Sequence, residues 1–120
     1  MQNIDLAPTL VELARAQTWE PVQGLSLVPL LQGEPPKNWR EAIYYRYYEY
    51  PAPHRVQPHR GLRTERYRWI EHPLTGTQEL YDSESDPTEM HNRAKDPELR
   101  PSAEGLQRQL ALLRKEYGDN

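Results

Sequence analysis

Chemistry-bearing side chains are concentrated in the run Tyr50-Pro51-Ala52-Pro53-His54-Arg55-Val56-Gln57-Pro58-His59-Arg60. Pro51, Pro53 and Pro58 fix φ and make the segment stiff and irregular. It presents two imidazoles and a guanidinium whose planar fork can grip an oxyanion through paired hydrogen bonds. His54, His59 and Arg60 are therefore the candidate binding residues, expected to converge on one accessible surface. In the competing reading the histidines are hydrogen-bonded loop residues and Arg60 pairs with an acidic neighbour. Two histidines in such a loop also suggest a zinc pair, yet no third ligand has suitable spacing, and no metal site is assigned.

Charge is distributed unevenly around this run. Arg60, Arg63, Arg66 and Arg68 stand against Glu65 and Glu71, whereas Glu79 to Glu104 is strongly acidic. Either the two stretches meet in the fold or the basic one faces an anion. Aromatic Tyr44 to Tyr50 beside these arginines contains the residue types of a single-strand or RNA-binding surface. The net charge of −3 and the lack of an RNP-like Gly-aromatic pattern oppose it, so no nucleic-acid partner is assigned. No span approaches the ~20 apolar residues that cross a bilayer, and no membrane partner is assigned. The N-terminus has no signal-peptide pattern. With no Cys, disulfides and thiolate metal sites are excluded.

The elements that must position these groups fall into two parts. Asp5 is placed to cap a helix reaching Ala16-Gln17, with Leu6, Leu10, Leu13 and Ala14 on one face and Trp19, Pro21 and Gly24 breaking the period. Residues 24–31 read as an extended stretch followed by one helical turn, and Gly33-Glu34-Pro35-Pro36 marks the boundary. A Tyr-rich strand over 42–50 carries aromatics on both faces and is expected to be covered on both sides over much of its length. After the proline loop, strands at 61–64 and 67–71 join through a tight turn at Glu65-Arg66, and a turn around Gly76 leads to a strand at 78–82. Asp86, Pro87 and Glu89 suggest a capping box for a short helical turn ending at Asn92. A last helix over about 102–117 carries the stripe Leu106, Leu110, Leu113 and Tyr117, with Gly118 as terminator. The fold class is α+β: a small four-stranded antiparallel sheet covered by a C-terminal helix and preceded by a helical segment.

An ordered set of motifs resembles the C-terminal part of sulfatases of the alkaline-phosphatase superfamily. Ile4-Asp5-Leu6-Ala7-Pro8-Thr9-Leu10 is similar to a helix late in their large α/β domain, and Gln23-Gly24-Leu25-Ser26-Leu27 with Pro29-Leu30-Leu31 to the segment that follows. Trp39-Arg40-Glu41-Ala42 and the Tyr-rich strand resemble the start of the smaller domain. His59 to Ile70 resembles its central hairpin, and Glu79-Leu80-Tyr81-Asp82 with Asp86-Pro87-Thr88-Glu89 and Asn92 its closing motif. The resemblance implies that 1–35 end the catalytic domain and 36–120 form the C-terminal α+β domain. It also implies that the loop with His54, His59 and Arg60 lies at the rim of a substrate pocket.

The family's catalytic equipment is not recognisable in these residues. Its formylglycine nucleophile arises from Cys or Ser followed by Pro two residues later and Arg two further on. The near match Ser85-Asp86-Pro87-Thr88-Glu89 has Glu89 where that Arg is required. Nor is there an Asp-Asp pair of the kind that binds the family's calcium or similar hard cation. The expectation is a sulfuric ester hydrolase's C-terminal portion, without catalytic residue, metal or cofactor of its own and inactive alone. The parent would hold calcium and formylglycine, and the partners would be the missing N-terminal domain and a sulfated sugar or aryl sulfate. Alone, the chain is expected to self-associate through its N-terminal helix. The alternative is a stand-alone sulfated-glycan-binding or protein-interaction domain.

Overall fold

The computed structural model describes residues 1–18, 21–34, 36–37, 39–51 and 53–119. The expected helix break at Trp19, the Pro35 position of the expected boundary and Ala52 of the proline loop lie outside these residues. The chain divides into two compact units, Met1–Arg40 and Glu41–Asn120.

The first unit contains α1 (Leu6–Leu13) and the single turn α2 (Val28–Leu31). Asp5 does not cap α1 with its side chain; it closes a 3₁₀ turn, Asn3–Asp5, that runs into the helix. Its buried carboxylate instead accepts bonds from Gln2 N at 2.7 Å, Leu25 N at 3.0 Å and Arg40 Nη2 at 2.5 Å. Burial pushes this carboxyl up, but those donors outweigh it and hold it below the usual carboxylate range. Thr9 adds a second stitch, donating to Asp5 O at 2.5 Å and accepting from Leu27 N at 2.9 Å. The pairing of Arg40 with Asp5 ties the residues after the Gly-Pro segment into this unit. Arg15, with φ 51, ends α1 earlier than the periodicity suggested: Ala16 N turns back to Val11 O at 3.0 Å.

The second unit is the expected α+β assembly. Strands β1 (Ile43–Tyr47), β2 (His59–Arg63), β3 (Tyr67–His72) and β4 (Thr77–Asp82) form an antiparallel meander in the order β1-β2-β3-β4. Alternation sends Tyr44, Leu62, Trp69 and Leu80 to one face, and the register aligns them: Tyr44 with Leu62, Leu62 with Trp69, Trp69 with Leu80. Helix α3 (Arg100–Glu116) covers that face with Ala103, Leu106 and Leu110. Leu62, Trp69, Leu80 and Leu110 are essentially inaccessible, and each such burial contributes roughly 1.5–3 kcal/mol. Asp96 caps the turn leading into α3 by accepting from Glu98 N. At the other end Gly118, with φ 69, lets Asp119 N reach Arg114 O at 2.8 Å. Asp119 then binds the Tyr44 hydroxyl and Arg46, while Tyr117 stacks on Tyr44 with ring centroids 5.8 Å apart.

Two further expectations are corrected. The Tyr-rich strand stops at Tyr47, so Tyr48 and Tyr50 project from the following loop, 70% and 51% exposed. Asp86 to Asn92 is a turn, not a capped helix. Glu89 adopts φ 54 and gives its carboxylate to Arg63 and Arg68 rather than to a capping box.

Candidate functional site

The sheet's second face carries Ile43, Tyr45 and Tyr47 of β1, His59, Gly61 and Arg63 of β2, Arg68, Ile70 and His72 of β3, and Thr77, Glu79 and Tyr81 of β4, as alternation from the core positions requires. Tyr45 lies across Gly61. A Cβ there would come within 2.7 Å of the Tyr45 hydroxyl and 2.3 Å of the Trp69 carbonyl oxygen. Glycine is thus what lets an aromatic ring lie flat on the strand.

At one end of this face three rings form a row across three strands. Tyr47 stacks on His59 with centroids 5.5 Å apart and planes 22° apart, and His59 lies 5.7 Å from His72. Tyr45 meets His59 edge-on at 6.2 Å. The His59 Nδ1 lies 2.9 Å from the Gln57 carbonyl oxygen, and the His72 Nε2 lies 2.8 Å from Glu79 Oε1. Tyr81 donates its hydroxyl to the other Glu79 oxygen at 2.7 Å. Burial raises the Glu79 carboxyl, but the bonds from Tyr81 and His72 outweigh it and keep it below its usual range. Burial, followed by the adjacent Glu79 carboxylate, pushes the Tyr81 hydroxyl up to about 12.

The three residues singled out from the sequence do not converge. His54 is exposed on the loop, while His59 is half-buried in β2. Arg60, the next strand residue, projects to the opposite face and pairs with Glu71 at 3.2 Å. His72, not singled out from the sequence, is the group that meets His59. The expected hairpin turn at Glu65-Arg66 already contained that signal, because it mirrors Arg63 onto Arg68, Arg60 onto Glu71 and His59 onto His72.

The other arginines of the basic stretch are also answered from within the chain. Arg63 and Arg68 hold Glu89, Arg66 holds Asp82 and Glu84, and the acidic stretch thereby meets the basic one. Asp82 is 2% exposed and takes Arg66 Nε and Nη2 at 2.9 Å each, which lowers its carboxyl to about 2.

Among the described residues no group of three or more His, Asp or Glu is placed to hold a metal ion. Ser85 donates to the Asp82 carbonyl oxygen at 3.4 Å, and Glu89, where the nucleophile motif needs Arg, is itself the anion held by two arginines. These residues do not fit a calcium ion or a formylglycine.

The family described as "N-sulphoglucosamine sulphohydrolase, C-terminal" matches residues 1–116. An N-acetylglucosamine-6-O-sulfatase of Bacteroides thetaiotaomicron is 39% identical over 98% of this chain and 22% of that protein. A Δ4,5-hexuronate-2-O-sulfatase of the same organism is 36% identical over 79% of this chain and 20% of that protein. Among solved structures, BT4656 in complex with its substrate D-glucosamine-2-N,6-O-disulfate superposes with a TM-score of 0.90. It is 39% identical over 97% of this chain and 24% of that one. The chain thus spans less than a quarter of each of these proteins. On its family match and its fold, the chain belongs to the N-sulphoglucosamine sulphohydrolase C-terminal family and corresponds to a C-terminal portion of sulfatases.

Proposed function

We propose that this chain serves a sulfuric ester hydrolase acting on sulfated sugars, completing its fold and shaping the substrate side of its pocket, with no turnover alone. The superposition at a TM-score of 0.90 on a protein bound to a disulfated glucosamine carries this reading. Residues 1–35 would finish the large domain and 36–120 form the smaller one, the remainder of the enzyme supplying formylglycine and calcium. The first unit supports the need for a partner. Among its described residues the buried apolar side chains are Leu27 and Val28, whereas Leu6, Leu10 and Leu13 of α1 are 53%, 65% and 60% exposed. An apolar row of this kind is stable in water only when covered, and the missing N-terminal domain is the occupant proposed.

The substrate-side contribution is assigned to the segment with His54, His59 and Arg60. His54 offers an exposed imidazole and His59 a held one, while Arg60 would engage a ligand by exchanging Glu71 for it. Purified chain and full-length protein, assayed side by side with N-acetylglucosamine 6-sulfate and a chromogenic aryl sulfate, test the reading. The full-length protein is expected to release sulfate and the chain alone to match the buffer blank. Turnover by the chain alone would overturn the division of labour, and no turnover of either ester by the full-length protein would overturn the activity.

A further inference from the structure

We propose that His59 presents its distal ring nitrogen, Nε2, as a fixed hydrogen-bond acceptor for a sugar hydroxyl, with Tyr47 and His72 as the positioning residues that hold the ring. This rests on the sulfated-sugar reading above and names the group that would read the sugar rather than the sulfate.

The tautomer follows from the partner. A carbonyl oxygen only accepts, so the 2.9 Å contact between Nδ1 and Gln57 O places the ring proton on Nδ1. In the neutral ring Nε2 then carries a lone pair. No described residue donates to Nε2, although the ring is half-buried, stacked on Tyr47 at 5.5 Å and flanked by His72, whose ring lies 5.7 Å away and tilted by 42°. With Tyr47 stacked on the ring and Nδ1 engaged by Gln57, the polar atom left for a ligand is Nε2. His72 is itself locked, since its Nε2 donates to a Glu79 carboxylate that also takes the Tyr81 hydroxyl. A side chain immobilised before binding loses little rotamer entropy on engaging a ligand. An acceptor selects ligands that can donate, and a sugar hydroxyl donates whereas a sulfate ester oxygen cannot.

The surroundings suit such a ligand. Residues 48–58 join Tyr47 to His59 at this end of the sheet, and along them Tyr48, Tyr50, His54 and Arg55 are exposed. Exposed aromatic rings, an imidazole and a guanidinium on the segment that leads into His59 match a hydroxylated, anionic ring.

The test uses the full-length protein with N-acetylglucosamine 6-sulfate and with an aryl sulfate that has no sugar hydroxyls. His59→Phe keeps a ring in the stack and removes the acceptor; His59→Gln keeps an acceptor at the distal position. The Phe variant is expected to lose about tenfold or more in kcat/KM on the sugar sulfate, the loss of one hydrogen bond to a held partner. Its loss on the aryl sulfate should be several-fold smaller than on the sugar sulfate, and the Gln variant should recover most of the sugar rate. If His59→Phe does not fold by thermal melt, His59→Asn, which keeps a proximal donor but no distal acceptor, replaces it with the same expected loss. Equal losses on both esters, or an unchanged sugar rate in a folded Phe or Asn variant, would overturn the role of His59 while leaving the sulfatase reading intact. A wild-type protein that hydrolyses aryl sulfate but not the sugar sulfate would overturn the sugar reading and this inference with it.

Discussion

Replacing Asp82 by Asn should remove a pH-dependent share of stability that can be sized from the structure. Asp82 is 2% exposed and receives two parallel bonds of 2.9 Å from Arg66 and one of 3.2 Å from Glu84 N. The paired bonds from Arg66 lower its carboxyl from 3.8 to about 2. A carboxyl lowered on folding contributes stability that is complete above its unfolded value, near pH 4, and is lost as pH falls through about 2. At about 1.4 kcal/mol per pH unit the gap sets an upper limit of roughly 2.5 kcal/mol. Arg66 is 44% exposed, so solvent screening reduces the expected contribution to about 1–1.5 kcal/mol. For a domain of this size that corresponds to a fall in Tm of roughly 5–10 °C at pH 7. Thermal melts of the wild type and Asp82→Asn at constant ionic strength, from pH 7 to 2.5, should show two curves converging below pH 4. A difference that is the same at pH 3 and pH 7 would refute the electrostatic account and leave only a cost of shape.

Two further outcomes test the surfaces. Glu at both Leu10 and Leu13 should convert a self-associating isolated chain into a monomer by sedimentation velocity, because those side chains are the exposed apolar row of α1; a wild-type chain that is already monomeric at high concentration would contradict this. In the full-length protein, Arg60→Ala should raise KM for a sulfated sugar while lowering stability by no more than about 1 kcal/mol, the ceiling for a part-exposed pair such as that with Glu71; unchanged kinetics with a lowered Tm would make Arg60 purely structural.

The sheet and its covering helix were legible in the sequence because their signals are local. Period-two alternation in Tyr67, Trp69 and Glu71 and the Leu106, Leu110, Leu113 stripe each need only a short window. Ends were less legible where long-range partners decide them. Asp5 has the residue type of a cap, yet Leu25 and Arg40, distant in sequence, compete for its carboxylate and win. Glu89 has the spacing of a capping box, but two arginines at paired positions of β2 and β3 outbid one backbone N–H.

For the site, composition and geometry point to different neighbours. Adjacency in the chain groups His59 with Arg60, and in a loop they could share a surface. Once β2 begins at His59, the pleat sends consecutive side chains to opposite faces, so proximity must be sought across strands. The register then gives Arg60 a carboxylate, Glu71, and gives His59 a second imidazole, His72. Of the two, the arginine's charge is already answered at 3.2 Å, whereas the His59 ring is held at Nδ1 and by the stack with Tyr47 while Nε2 is engaged by no described residue. A group meant to meet a ligand is better served by a fixed, unspent atom than by a charge that must first leave its partner, and on this sheet that atom belongs to His59.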